Sequence, residues 1–118
     1  MTWDDTVAAS HEVQVVVPAP GRDPVRVPIW VVTVGADLYV RSWKGDAGVW
    51  YKRARRYGTG AIVAGGTERA VRFTPVADPA LEEAIDAAFR AKYGSSEYTE
   101  AMINPPAAGT TMRLDEVR

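Results

Sequence analysis

Apolar and polar positions alternate with period two at the start of Glu12-Val-Gln-Val-Val-Val17, a run rich in β-branched residues, which predicts a strand. Pro18-Ala-Pro-Gly-Arg-Asp-Pro24 interrupts it, because prolines remove amide donors and glycine favours turns, so this stretch reads as a long hairpin loop. Val25 to Val34 predicts a second strand whose end, Ile29-Trp-Val-Val-Thr-Val34, is apolar on both faces. Pro28 cannot donate to a ladder and marks that strand as an edge, a bulge or a turn toward a ligand. Gly35-Ala36 fits a two-residue hairpin with glycine first, leading into a third strand from Leu38 to Trp43.

The period then lengthens. Val49, Trp50, Ala54 and Tyr57 fall on one side of a short helix and Lys52, Arg53 and Arg56 on another, with Asp46 placed as its cap. Ala61 to Ala64 and Thr67 to Val76 predict two more strands joined by Gly65-Gly66, a tight-turn pair. Asp78-Pro79 starts a second helix, with Asp at the cap and Pro where its missing N–H costs nothing. Leu81, Ala84, Ile85, Ala88 and Phe89 recur along it at helical spacing, and Gly94 ends it. Ser95 to Asn104 offers a further helical turn, Pro105-Pro106 breaks it, and Thr110 to Leu114 predicts a last short strand. Residues 1 to 11 show no period and read as a short segment of about one helical turn anchored by Trp3.

The predicted order is β-β-β-α-β-β-α-β, mainly β with α. An antiparallel sheet of that size either curls into a small barrel, which removes long exposed edges, or lies flatter in an α+β sandwich. At 118 residues the chain has the length of one domain, residues 1–118. No run is apolar for the roughly 18 residues of a membrane span, and Met-Thr-Trp-Asp-Asp lacks the features of an export signal, so a cytoplasmic protein is expected. The absence of Cys excludes disulfides and thiolate chemistry, and with a single His no transition-metal site is expected.

Net charge is −1, but its distribution is uneven. Arg41 to Arg72 carries eight basic and two acidic residues, about +6, against about −7 in the flanks. Tyr39 to Tyr57 concentrates the basic residues with Trp43, Trp50 and Tyr51. Arg forks, a Lys charge and a helix N-terminus can hold a phosphate, and the aromatic residues can stack on a flat ring. The same pattern also fits a solvated helix face with its aromatic residues in the core; core packing is likewise expected for Trp30. His11 fits either a general base or a solvated side chain. Glu82, Glu83 and Asp86 read as an exposed acidic face. No nucleophile elbow, P-loop or dinucleotide fingerprint occurs. A sequence pI of about 5.8 and acidic flanks argue against a long polyanion, so nucleic acid is not the expected partner and a small anionic ligand fits better.

Pro28 to Val34, Leu38 to Gly45, Val49 to Arg53, Phe73 to Val76 and Phe89 to Gly94 together resemble a small bacterial family of unknown function. That family is similar to the split β-barrels that bind FMN or a deazaflavin, including pyridoxamine-phosphate-oxidase-like and deazaflavin-dependent nitroreductase-like proteins. The resemblance runs over residues 10 to 114 and implies a split antiparallel β-barrel, a homodimer and an FMN or deazaflavin cofactor. It places Arg41, Ser42 and Lys44 in a polar cluster at a strand exit that holds the cofactor phosphate. Trp50, Tyr51, Lys52 and Arg53 match a Trp-Tyr pair followed by polar residues, and Pro28 and Trp30 match the strand flanking the ring. Where those relatives tend to have an Asn after the Trp-Tyr pair, this chain has Lys52-Arg53.

The leading expectation is therefore a cofactor-binding barrel that supports hydride or electron transfer to a small molecule, with no catalytic side chain assigned. A cofactor-free barrel acting as a binding or interaction module is the alternative. A single-strand nucleic-acid binder is the third.

Overall fold

The computed structural model describes residues 3–94 and 96–117. A short helix α1 (Trp3–Ala9) precedes strands β1 (Val13–Ala19), β2 (Arg22–Ile29), β3 (Val32–Val34) and β4 (Asp37–Val40). A 3-10 turn (Gly45–Ala47) leads into helix α2 (Val49–Tyr57), then β5 (Thr59–Ala64) and β6 (Thr67–Pro75). Helices α3 (Pro79–Tyr93) and α4 (Thr99–Ile103), a second 3-10 turn (Ala107–Thr110) and β7 (Met112–Glu116) complete the chain.

All seven strands form one sheet in the order β2-β1-β5-β6-β7-β4-β3, and every pairing is antiparallel. Consecutive strands β2 and β3 occupy opposite edges, yet only Trp30 and Val31 join them. Three peptide steps span at most about 11 Å. The sheet must therefore curl until its edges approach, and the result is a split barrel rather than a flat sandwich.

Several expected boundaries move, each for a local reason. The single strand expected from Val25 to Val34 is two strands, because the chain passes from one edge of the curled sheet to the other at Trp30 and Val31. The hairpin loop expected from Pro18 to Pro24 shrinks to a tip at Pro20-Gly21. The strands run on either side of it, with a register shift between Val17 and Ala19 where two residues of β2, Asp23 and Pro24, stand opposite Pro18 and form a bulge on β2. The third expected strand stops at Val40 instead of reaching Trp43, since Arg41 and Ser42 turn into the protein. Asp46 lies in the 3-10 turn and does not cap α2, whose cap is Gly48. On α2 the buried side is Trp50, Tyr51 and Ala54, while Val49 and Tyr57 are exposed. The further helical turn expected from Ser95 to Asn104 forms at Thr99–Ile103, and Ser95 lies outside the described residues.

Where expectation and structure agree, the cause is visible. The Asp78 carboxylate accepts from the Ala80 and Leu81 amides at 3.0 and 3.4 Å, with Pro79 in the first turn of α3. Gly65 and Gly66 both take positive φ, 57° and 79°, and close the β5–β6 hairpin between paired Ala64 and Thr67.

Two apolar clusters result from the two faces of the sheet. Val15, Val17, Val31, Leu38, Val40, Ile62, Val71, Phe73 and Leu114 fill the barrel interior, with Trp50, Tyr51 and Ala54 of α2 packed among them. Val32 and Tyr39, pointing outward, pack instead with Ile85, Phe89 and Tyr93 of α3 and Met102 and Ile103 of α4. Strand alternation assigns neighbouring residues of β4 to different clusters, so that strand is buried on both sides. No helix among the described residues is long and apolar enough to cross a membrane.

Candidate ligand-binding site

β4 ends at Val40 and delivers the next two residues, Arg41 and Ser42, into the interior, each 1% exposed. The Arg41 guanidinium is bonded on all sides. Its Nε donates to the Thr111 hydroxyl at 2.8 Å, and one terminal nitrogen donates to Asp86 Oδ1 at 2.6 Å and the Met102 carbonyl at 3.0 Å. The other donates to Glu82 Oε2 at 3.0 Å and the Glu82 carbonyl at 3.5 Å. Thr111 in turn donates to Glu82 Oε2 at 3.0 Å, and the Phe89 ring lies 5.3 Å from the guanidinium carbon. Burial of that cation is stabilised by two carboxylates rather than by water.

Ser42 is fixed by its backbone: its amide donates to the Thr110 hydroxyl at 2.8 Å and its carbonyl accepts from the Gly45 amide at 2.9 Å. Its own Oγ is buried with no hydrogen-bond partner among the described residues. A Cβ on Gly48 would stand 2.5 Å from that oxygen, so only glycine fits there while the hydroxyl keeps its place. Gly48 is also the N-cap of α2, where no side chain among the described residues caps the helix. The amides of the first turn are thus left for water or a ligand, at the positive end of the helix dipole.

These features open onto a cavity of about 570 Å³, within the range of small-molecule sites. Pro28 and Trp30 wall it on the β2 side, Arg41, Ser42, Trp43 and Lys44 on the β4 exit, and Gly48, Val49 and Trp50 at the start of α2. Glu12, Tyr98 and Met102 complete the lining together with Val27 and Ile29. At its mouth Trp43 and Tyr98 meet edge to face, 6.5 Å between centroids, both more than half exposed, and Val49 beside them is equally exposed.

Trp30 is held from behind. Its ring stacks on Tyr93 at 3.9 Å and 7° between planes, and His11 sits edge-on to both rings. The Tyr93 hydroxyl donates to the His11 carbonyl at 2.7 Å, has the Val31 carbonyl at 3.1 Å, and accepts from the Val31 amide at 3.2 Å. Burial pushes the phenol up to about 12, so it remains a neutral donor. Lys92 donates to the Val31 and Ala8 carbonyls at 2.7 and 3.1 Å, and its own burial lowers its pKa. Trp30, which core packing would also place, is half-buried and serves both the outer cluster and the cavity wall.

Of the residues expected at the site, Pro28, Trp30, Arg41, Ser42, Lys44 and Trp50 line this one cavity. Tyr51, Lys52 and Arg53 do not. Tyr51 is buried in the barrel interior and its hydroxyl accepts from Arg55 at 3.1 Å. Lys52 is exposed, and Arg53 reaches the carbonyls of Val17 and Asp23 at 3.3 and 3.0 Å, tying α2 to the β1–β2 hairpin. Glu12, Tyr98 and Met102 were not foreseeable as lining, since they lie far in sequence from Tyr39 to Tyr57; Gly48 lies within that stretch, but its close approach to Ser42 depends on the fold.

A curled antiparallel half-barrel with a helix packed in it and a cavity at the strand exit defines the class: this is a split β-barrel. The chain belongs to a family described as uncharacterized protein conserved in bacteria (DUF2255), whose profile matches residues 5–114. Among solved structures, the conserved hypothetical protein Rv2991 of Mycobacterium tuberculosis shares the fold at a TM-score of 0.66 and 12% identity, over 100% of this chain and 80% of that one. A Listeria innocua protein described as a candidate pyridoxamine 5'-phosphate oxidase aligns at 0.65 and 13% identity, over 98% and 93% of the two chains. A FAD-binding protein of Mesorhizobium loti aligns at 0.60 and 14% identity, over 95% and 83%. No curated protein sequence matches the chain.

Proposed function

We propose that this protein binds FMN or a deazaflavin in the cavity and supports hydride or electron transfer to a small molecule. The observation that carries the reading is the buried, unpartnered Ser42 hydroxyl in an aromatic-walled cavity beside an uncapped helix start. Left unmade, a buried polar group's hydrogen bond costs about 1–3 kcal/mol, so such a group in a cavity asks for a ligand atom. Pro28, Trp30, Trp43 and Trp50 suit the two faces and edge of a flat ring. Ser42, Lys44 and the first amides of α2 suit its phosphate. The redox chemistry is the cofactor's; the chain binds it, orients it and limits water at its ring. The fold shared with the Listeria innocua and Mesorhizobium loti proteins supports this reading. We further propose a cytoplasmic location and a homodimer, the latter checked by sedimentation velocity of the purified chain.

The test is a titration of purified protein with FMN and with a deazaflavin, followed by Trp quenching and ligand absorbance. Saturable binding of either, in the micromolar range or tighter, is expected. A second reading, a cofactor-free interaction module, is favoured by the exposed Trp43, Val49 and Tyr98 at the mouth. Titrations that leave both ligands unbound would select it.

A further inference from the structure

We infer that Arg41 is a positioning residue and gives no hydrogen bond to the ligand, although it lines the cavity and the resemblance places it at the phosphate. The inference rests on the flavin reading of the same site. A guanidinium has five N–H groups in a fixed fork. In Arg41 all of them point at protein acceptors: Thr111, Asp86, the Met102 carbonyl and both the carboxylate and the carbonyl of Glu82. Its side chain is 0% exposed and its charge is outweighed locally by two carboxylates. Turning a donor toward a ligand would leave Asp86 or Glu82 without its cation in a water-poor setting, a change that opposes binding.

What the clamp does is geometric. It joins the exit of β4 to α3 through Glu82 and Asp86, to α4 through Met102 and to the start of β7 through Thr111. Ser42 is the next residue and Met102 lines the cavity, so the clamp fixes a hydroxyl and a wall together. Lys44 is the opposite case: it is exposed at the cavity lining, with no ion pair among the described residues, and is free to meet a phosphate.

The two roles separate when FMN is compared with riboflavin, the same ring without phosphate. Dissociation constants for both are measured by fluorescence quenching in the wild type and in Arg41→Lys, Asp86→Asn and Lys44→Ala, with a cooperative thermal melt required of each variant. Arg41→Lys keeps the charge and loses the fork; it weakens riboflavin about tenfold or more by loosening the cavity wall, and FMN by at least that factor because Ser42 moves with it. Asp86→Asn, the milder change if Arg41→Lys fails to fold, weakens riboflavin by about threefold to tenfold and FMN by no less. Lys44→Ala weakens FMN alone, by about fivefold, as an exposed charge pair does. The inference is overturned if Arg41→Lys lowers FMN affinity and leaves riboflavin untouched, or if Asp86→Asn tightens FMN, as loss of a negative charge near a directly contacted phosphate would. Either result leaves the flavin reading standing. A wild type that binds no flavin or deazaflavin removes that reading and the inference with it.

Discussion

Tyr93 shows how one side chain can hold a wall of the site without touching its contents. Its ring carries Trp30, and its hydroxyl is shared between the His11 and Val31 backbones. Burial raises its pKa to about 12, above the ordinary tyrosine value of 10.0. Because the folded state holds the proton more tightly than the unfolded one, the stability tied to it is full below pH 10 and is lost as pH rises toward 12. Two units correspond to roughly 2 to 3 kcal/mol. Tyr93→Phe removes the hydrogen bonds and costs about 1 to 3 kcal/mol near pH 8. That difference from wild type should shrink as urea melts are repeated from pH 9 to pH 12; a constant difference would mean the phenol does not titrate as described. Lys92, whose pKa is lowered by burial, acts with the opposite sign and is common to both proteins.

At the scale of elements, α2 decides how the site is presented. Its apolar side is set by Trp50, Tyr51 and Ala54, its C-terminus by Gly58 in the left-handed region at φ 73°, and its N-terminus by Gly48. Gly48→Ala puts a poorer cap than glycine at the start of α2 and a methyl group 2.5 Å from Ser42 Oγ. Either the hydroxyl rotates away or the helix start shifts. Stability should therefore fall by about 1 kcal/mol while FMN affinity falls by about tenfold. Unchanged affinity would show that Ser42 and the helix start are not where the ligand binds.

Much of the element order was legible in the sequence, because period-two runs, paired glycines and Asp78-Pro79 act locally. The break at Trp30 and Val31 was not legible: an apolar run buried on both faces looks the same whether it stays in one strand or crosses between sheet edges. The site was legible as a region, from the cations and aromatic residues after Tyr39. Its partition was not, since the groups that engage Arg41 lie 41 to 70 residues away in sequence and nothing near Arg41 announces them.

Across the whole molecule, the question is whether the barrel interior and the outer helical layer form one cooperative unit. They share β4, whose Leu38 and Val40 face inward while Tyr39 faces α3. They also meet at the link between the sheet edges, where Val31 enters the interior and Trp30 lies against the outer cluster. Trp30→Ala empties the face of Tyr93 and one wall of the cavity. For a half-buried ring the loss should be about 2 to 3 kcal/mol, less than for a fully buried aromatic. Because β4 still couples the layers, urea unfolding followed by far-UV circular dichroism and by intrinsic fluorescence should keep coincident midpoints, shifted together. Midpoints that separate in this variant would identify Trp30, rather than the two-faced β4, as the connection between the layers. FMN affinity should fall in the same protein, since the residue that closes the gap between the sheet edges also faces the cavity.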